Sequence, residues 1–225
     1  MKTSKKIPSY LRDTLSRLED RLGGVSSITA VGDWLIKHTK LEGKTYSFKD
    51  HEFQLAIVND TSPHVIIQKP SQMGMTELSF RMMLALAAIR QYFTCIYVLP
   101  SAHFAREVSK SRVDPIIEDS ERLSSMVVSA ANSAEMKRIG TSTIYMGGAA
   151  TKNQAISRPS KGLIIDEKDF ANPTVLTSYQ SRLRHTLESE RFVREFSTPT
   201  VSGYGINADL ERSNHHRYMV CCSNC

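Results

Sequence analysis

From Val65 onward, short apolar runs alternate with helical patterns, and this alternation leaves few folds open to the chain. Residues 65–67, 95–99, 143–146, 162–165 and 192–196 read as strands rich in Val, Ile, Phe and Tyr. Between them, 76–91, 101–110 and 175–187 carry helical periodicity, the last opened by Pro173. Strands separated by helices of this length imply βαβ units, so the fold class is α/β, with a mostly parallel sheet flanked by helices. Such sheets bind ligands at the carboxyl ends of their strands. The turns after Ile67, Ile165 and Phe196 are therefore where chemistry is expected.

The first of these turns reads Lys69-Pro70-Ser71-Gln72-Met73-Gly74-Met75-Thr76, with Glu77 opening the helix behind it. Set against the phosphate-loop pattern G-x-x-x-x-G-K-[ST], Gly74 and Thr76 match, while Lys69 stands for the first Gly and Met75 for the Lys. The pattern fails, but the physics does not. The turn still offers backbone N–H groups and a helix N-terminus to an anion, and Thr76 offers a hydroxyl where Mg²⁺ is held. The missing cation can come from Lys69 if its side chain folds back over the loop. The competing reading is a polar strand-to-helix turn capped by Thr76.

The second turn follows Leu163-Ile164-Ile165 with Asp166-Glu167. A buried strand ending in a carboxylate can hold Mg²⁺ through Asp166, and Glu167 can polarise an attacking water. Adjacent residues on a strand face opposite ways, so both roles require the chain to turn there. Taken alone, an apolar run ending in Asp-Glu is more often just a solvated strand end. The order settles the balance: a phosphate loop, then an acidic strand end roughly ninety residues later, is the layout of P-loop ATPases.

The ordered set Phe53-Gln54, "KPSQMGMTE" at 69–77, "SRPSKGLIIDEKDF" at 157–170 and "FSTPT" at 196–200 resembles the ATPase half of phage large terminases. The closest type has its phosphate-loop lysine at the start of the loop, and the similarity covers about residues 45 to 225. The resemblance implies a P-loop NTPase fold of the ASCE, RecA-like kind, using ATP and Mg²⁺ to thread double-stranded DNA through a portal ring into a procapsid. By that resemblance Gln54 reads adenine, while Lys69, Ser71, Gln72, Met73, Gly74, Met75, Thr76 and Glu77 surround the nucleotide. Thr76 and Asp166 manage Mg²⁺, Glu167 is the catalytic carboxylate, and Ser197, Thr198 and Pro199 couple hydrolysis to movement. A small terminase subunit, a homo-oligomeric ring and the host cytoplasm belong to the same expectation. Many relatives carry Arg inside the loop where Ser71 stands here. Transition-state charge must then be met by Arg158 or by an Arg of a neighbouring subunit. Full-length relatives continue into a nuclease domain, so a chain stopping at Cys225 reads as a fragment.

The domain plan is a helical N-terminal segment over 1–44, the ATPase domain over 45–212 and the start of a linker over 213–225. Leu11, Leu15, Leu18 and Leu22 share a helical spacing in the first segment, and Trp34, Leu35 and Ile36 follow the Gly23-Gly24 break. At the other end, His215-His216 with Cys222 and Cys225 resembles half of a zinc site, whose remaining ligands would lie elsewhere. Three of the four cysteines crowd the last five residues, which is no secreted disulfide framework. No run approaches the roughly 18 apolar residues of a membrane span. The net charge of +6 favours a polyanionic partner, although the Lys and Arg residues are scattered. Two other functions share these features. A helicase-like nucleic-acid ATPase would use the same loop and acidic pair, and a degenerate nucleotide-binding module would explain Met75.

Overall fold

The computed structural model describes residues 29–152 and 157–219. The Leu11 to Leu22 repeat and the Cys221, Cys222 and Cys225 cluster lie outside the described residues.

The apolar runs become strands. Lys40–Leu41 (β1) and Lys44–Thr45 (β2) form a small hairpin. His64–Gln68 (β3), Thr94–Leu99 (β4), Met136–Ile139 (β5), Ser142–Gly148 (β6), Gly162–Asp166 (β7) and Phe192–Ser197 (β8) form one sheet in the order β3-β8-β7-β4-β6-β5. Every pairing in it is parallel except β5 with β6. The β5 strand was not legible as a strand because Met136-Lys137-Arg138-Ile139 is half charged. It forms as the outer arm of a tight hairpin, turned at Gly140 with φ 55°.

Period-two alternation sorts the strand side chains onto two faces. Cys95, Tyr97, Leu99, Ile164, Phe192 and Phe196 point into one core, with Leu78, Phe80 and Met83 of the helix Met75–Ile89. Ile96, Val98, Leu163, Ile165 and Val193 point into the other, with Val175, Leu176 and Tyr179 of the helix Pro173–Gln180. Burial on both faces explains why β4 and β7 are continuous apolar runs. Each buried Leu, Ile or Phe adds about 1.5–3 kcal/mol of transfer free energy.

Among the described residues the α-helices, in chain order, are Thr29–His38 (α1), Glu52–Val58 (α2), Met75–Ile89 (α3), Ala102–Val108 (α4), Asp114–Glu118 (α5), Glu121–Ser124 (α6), Pro173–Gln180 (α7) and Gly205–Glu211 (α8). The pattern over 101–110 is helical as expected, but it runs on through a π turn at Ser109–Val113 into α5. The pattern over 175–187 is cut short. Helix α7 ends at Gln180 and tightens into a 3-10 turn at Ser181–Leu183, where the Arg182 carbonyl accepts a bond from the Ser160 N–H at 3.1 Å. Thr186 Oγ1 donates to the Ser160 carbonyl at 3.1 Å, and Leu187, the last apolar position of the pattern, is exposed. Contacts to the strand-entry loop thus replace the continued helix.

Val31 and Leu35 of α1 pack into the first core, so this helix shares it with the sheet. Gly148 ends β6 against the start of α4, and a Cβ there would lie 2.1 Å from the Ala102 nitrogen. Among the described residues, no helix is long and apolar enough to cross a membrane.

Candidate nucleotide site

The parallel strands end together, and β3 and β7 are separated there by β8. The Lys69 N–H donates to the Ser197 carbonyl at 3.1 Å, extending the β3–β8 ladder by one residue. The chain then leaves the sheet at Pro70. Gln72 and Gly74 take left-handed backbone conformations, with φ of 61° and 69°. Helix α3 starts at Met75, and its first bond runs from the Leu78 N–H to the Gly74 carbonyl at 2.9 Å. The amides before Leu78 have no intrahelical acceptors, and the helix presents about half a unit of positive charge with them. Ser71, Gln72 and Gly74 are exposed and Met73 is partly so, which leaves the loop open to a ligand.

Gln54, on α2, is 4% exposed and braces this loop. Its Nε2 donates to the Met73 carbonyl at 3.0 Å, while Tyr46 Oη donates to its Oε1 at 3.3 Å. A Cβ on Gly74 would lie 2.8 Å from that Nε2, so glycine is needed here for space as well as for φ. Met75 turns inward and is 3% exposed, packed beside Ile57, Ile67, Met82 and Phe196. The Glu77 carboxylate turns along the helix to the buried Arg81, at 2.7 Å, and leaves the loop its backbone N–H.

The acidic pair sits where β7 turns. Glu167 has φ 53° and ψ 51°, the left-handed conformation that lets adjacent carboxylates serve one site instead of opposite faces. For a residue with a Cβ this costs on the order of 1–2 kcal/mol, the kind of strain that gathers at functional sites. Lys69 Nζ reaches Glu167 Oε1 at 2.8 Å past the end of β8. Ser197 Oγ donates to the Thr198 carbonyl at 3.0 Å and stands 3.5 Å from Glu167 Oε2. Thr198 and Pro199 carry the chain away from that point.

Asp166 is 1% exposed. Its Oδ2 accepts from Thr76 Oγ1 at 2.8 Å and from Tyr97 Oη at 2.9 Å. Its Oδ1 is buried, with no hydrogen-bond partner among the described residues. Burial pushes the Asp166 carboxyl up to about 6, against the two hydrogen bonds, which favour the charged form. A buried carboxylate with an orphaned oxygen beside a threonine hydroxyl fits a divalent cation such as Mg²⁺. The arrangement as a whole suits a polyphosphate: free amides, one cation, a metal-binding carboxylate and a second carboxylate able to orient water.

Not every residue named from the sequence gathers here. Arg158 precedes β7, at the opposite sheet edge from Asp166, and its guanidinium lies over the Tyr145 ring at 5.1 Å. Among the described residues, Lys69 is the cation that touches the acidic pair. Sequence reasoning missed Tyr97, Ser79 and Tyr46. Ser79 Oγ lies 2.8 Å from Tyr97 Oη and also donates to the Thr76 carbonyl at 2.8 Å, so the two join α3 to Asp166. A signal existed: Tyr97 lies mid-strand in an apolar run, and a buried tyrosine hydroxyl must find a partner.

A search of curated protein sequences finds no match. In structure, the chain resembles the HK97 bacteriophage large terminase, with a TM-score of 0.70 at 12% identity, covering 81% of this chain and 40% of that one. It also resembles the ATPase domain of the Thermus phage P74-26 large terminase, with a TM-score of 0.52 at 17% identity, covering 67% of this chain and 65% of that one. At such identities these likenesses show the fold, which is that of the P-loop NTPases. The chain spans less than half of the HK97 protein. In sequence, residues 50–225 match the family model described as phage terminase large subunit gpA, ATPase domain. That match takes in the phosphate loop, the acidic pair and the end of β8 together, and the chain belongs to the gpA family of phage terminase large-subunit ATPase domains.

Proposed function

We propose that this chain hydrolyses ATP and couples hydrolysis to translocation of double-stranded DNA into a procapsid. One observation carries the reading: Lys69 and Thr76 of the loop meet Glu167 and Asp166 across the end of β8. In that reading the phosphates lie on the amides of 71–77. Lys69 exchanges Glu167 for phosphate oxygens, and Glu167 is freed to polarise the water that attacks the γ-phosphorus as the bond to ADP breaks. Thr76 and Asp166 would hold Mg²⁺, which when bound neutralises charge on the β and γ oxygens. Gln54 would contact adenine while it braces Met73, linking base binding to loop shape. Ser197, Thr198 and Pro199 would couple the site to movement. An arginine from a neighbouring subunit would meet the transition-state charge, consistent with a ring acting at a portal in the host cytoplasm with a small terminase subunit.

Steady-state ATPase activity, measured with and without duplex DNA, separates this from its rivals. Hydrolysis stimulated by duplex DNA without strand separation supports the translocase. Unwinding would point to a helicase-like enzyme, and binding without turnover to a nucleotide-binding module.

Asp166→Ala is expected to weaken nucleotide binding in the presence of Mg²⁺ by about tenfold or more, and to leave metal-free binding nearly unchanged. Titration of a fluorescent ATP analogue with and without Mg²⁺ checks it, and a variant whose affinity still rises with Mg²⁺ removes Asp166 from the metal site. For DNA, the net charge of +6 leads to backbone contact rather than base reading. Duplex affinity is expected to fall about 10³-fold or more between 50 and 200 mM salt, with little sequence preference. A salt-insensitive or strongly sequence-specific interaction refutes this.

A further inference from the structure

Two more charged residues follow Glu167, and both are held. Lys168 Nζ contacts Glu195 Oε2 on β8 and Asp209 Oδ2 on α8. Glu195 is 1% exposed, and its other oxygen meets His64 Nε2 at 3.1 Å and Gln180 Nε2 at 3.3 Å. Burial pushes the Glu195 carboxyl up, but His64 and Lys168 outweigh it and hold the group at about 2. Lys168 is correspondingly raised, because its two carboxylate partners outweigh its own burial. The result is a partly buried, charged tie between the acidic turn, β8 and α8.

Asp169 makes a second tie. Its Oδ2 accepts from the Thr200 N–H and from Thr200 Oγ1, each at 3.0 Å, and its Oδ1 accepts from the Ile206 N–H at 2.7 Å. The Asp169 N–H donates to Ser197 Oγ at 3.2 Å. Gly205 makes the approach possible: it has φ 53°, and a Cβ there would lie 2.3 Å from Asp169 Oδ1. Between Glu167 and these ties the chain is a closed 3-10 turn, with Phe170 N–H donating to the Glu167 carbonyl and Ala171 N–H to that of Lys168, both at 3.0 Å. Helix α8 also touches the phosphate-loop strand, through Asn207 Nδ2 to Gln68 Oε1 at 3.1 Å.

We propose that Lys168 and Asp169 are positioning residues that transmit the state of Glu167 to the segment 200–211, so that nucleotide binding at the loop shifts α8. The inference rests on the nucleotide reading above. Its physical basis is short and rigid. Glu167 is strained and pinned by Lys69, the next three residues form one turn, and that turn grips α8 at two points. When Lys69 moves to phosphate, Glu167 loses its ion-pair partner, and any rotation of the turn is passed directly to Ile206 and Asp209.

Hydrogen exchange on the full chain, with and without a non-hydrolysable ATP analogue and Mg²⁺, tests this, with analogue affinity measured in parallel. In wild type, exchange of the 200–211 amides is expected to change at least about fivefold on binding, the low end of ordinary coupling. Asp169→Asn keeps the shape and one acceptor but cannot accept from both Thr200 and Ile206. It is expected to bind the analogue as wild type does, to keep α8 protected without nucleotide, and to lose the response. Gly205→Ala breaks the same contact from the helix side, is read by the same criteria, and decides the matter if Asp169→Asn does not fold. A response that survives in the variants overturns the proposal. So does α8 exchange that is already fast without nucleotide, which would make Asp169 a plain helix cap. A wild type that binds the analogue with no change in 200–211 overturns the coupling alone, whereas a wild type that does not bind it overturns the nucleotide reading and the coupling with it.

Discussion

Lys69→Ala is expected to lose ATP hydrolysis by about 10²-fold or more in kcat/KM while the protein stays folded. A triphosphate brings several negative charges to the loop, and the N-terminus of α3 answers with only about half a unit. The balance must come from a cation at the β and γ oxygens, and the loop from Lys69 to Thr76 contains one. Lys69 is 8% exposed and already bonded to Glu167, so its side chain is folded over the site instead of ranging through solvent. Its loss leaves Glu167 partly exposed and able to hydrate, which limits the stability cost to about 1 kcal/mol. Restoring a lysine at the usual position is not expected to help. Met75 is 3% exposed in the core, and an ammonium there would be buried without a partner at a cost of several kcal/mol. Lys69→Ala with Met75→Lys should therefore be inactive and also melt at a lower temperature than Lys69→Ala alone. Turnover and thermal melts of the two proteins check this. Near-normal turnover in Lys69→Ala would show that the cation comes from elsewhere, and a well-folded, active double variant would show that the lysine positions are interchangeable.

Glu167→Gln is expected to reduce turnover by about 10²–10⁴-fold with ATP still bound. The amide keeps the shape and the Ser197 contact but cannot draw a proton from water. The ion pair adds a second expectation. With the carboxylate gone, Lys69 no longer has to leave Glu167 to reach phosphate, so ATP affinity should equal or exceed that of wild type. Single-turnover hydrolysis and nucleotide titration on one preparation check both halves. Wild-type turnover takes Glu167 out of the chemistry, and weakened binding shows that the Lys69 pair helps to shape the loop for nucleotide.

The sheet was legible in the sequence because β4 and β7 are buried on both faces, and nothing but an apolar run can occupy them. The phosphate loop and acidic pair were legible through their order along the chain. What escaped depends on contacts between distant segments. Arg194 and Glu195 look like surface residues, yet they lie 2% and 1% exposed in the middle of β8, because Ser62, Asp60, His64 and Lys168 come to them from elsewhere. Arg158 was named because Ser71 stands where relatives carry an arginine in the loop, and strand β7 separates it along the chain from Asp166 and sets it over Tyr145. The roles of Lys168 and Asp169 could not be read at all, since two more charges after Asp-Glu look like a solvated turn until α8 folds back upon them.

The inward packing of Met75 also bears on how such a loop can change over generations. A lineage with its lysine at position 69 cannot move it to position 75 by single steps. On the proposed nucleotide reading, losing Lys69 first would leave the loop without the cation that meets its substrate, and gaining a lysine at position 75 first would drive a charge into the core between Ile67 and Phe196. Either order passes through a damaged intermediate unless the surrounding apolar residues change as well. Positions 69 and 75 of this loop are thus not exchangeable by single substitutions, because one faces the ligand edge and the other the core.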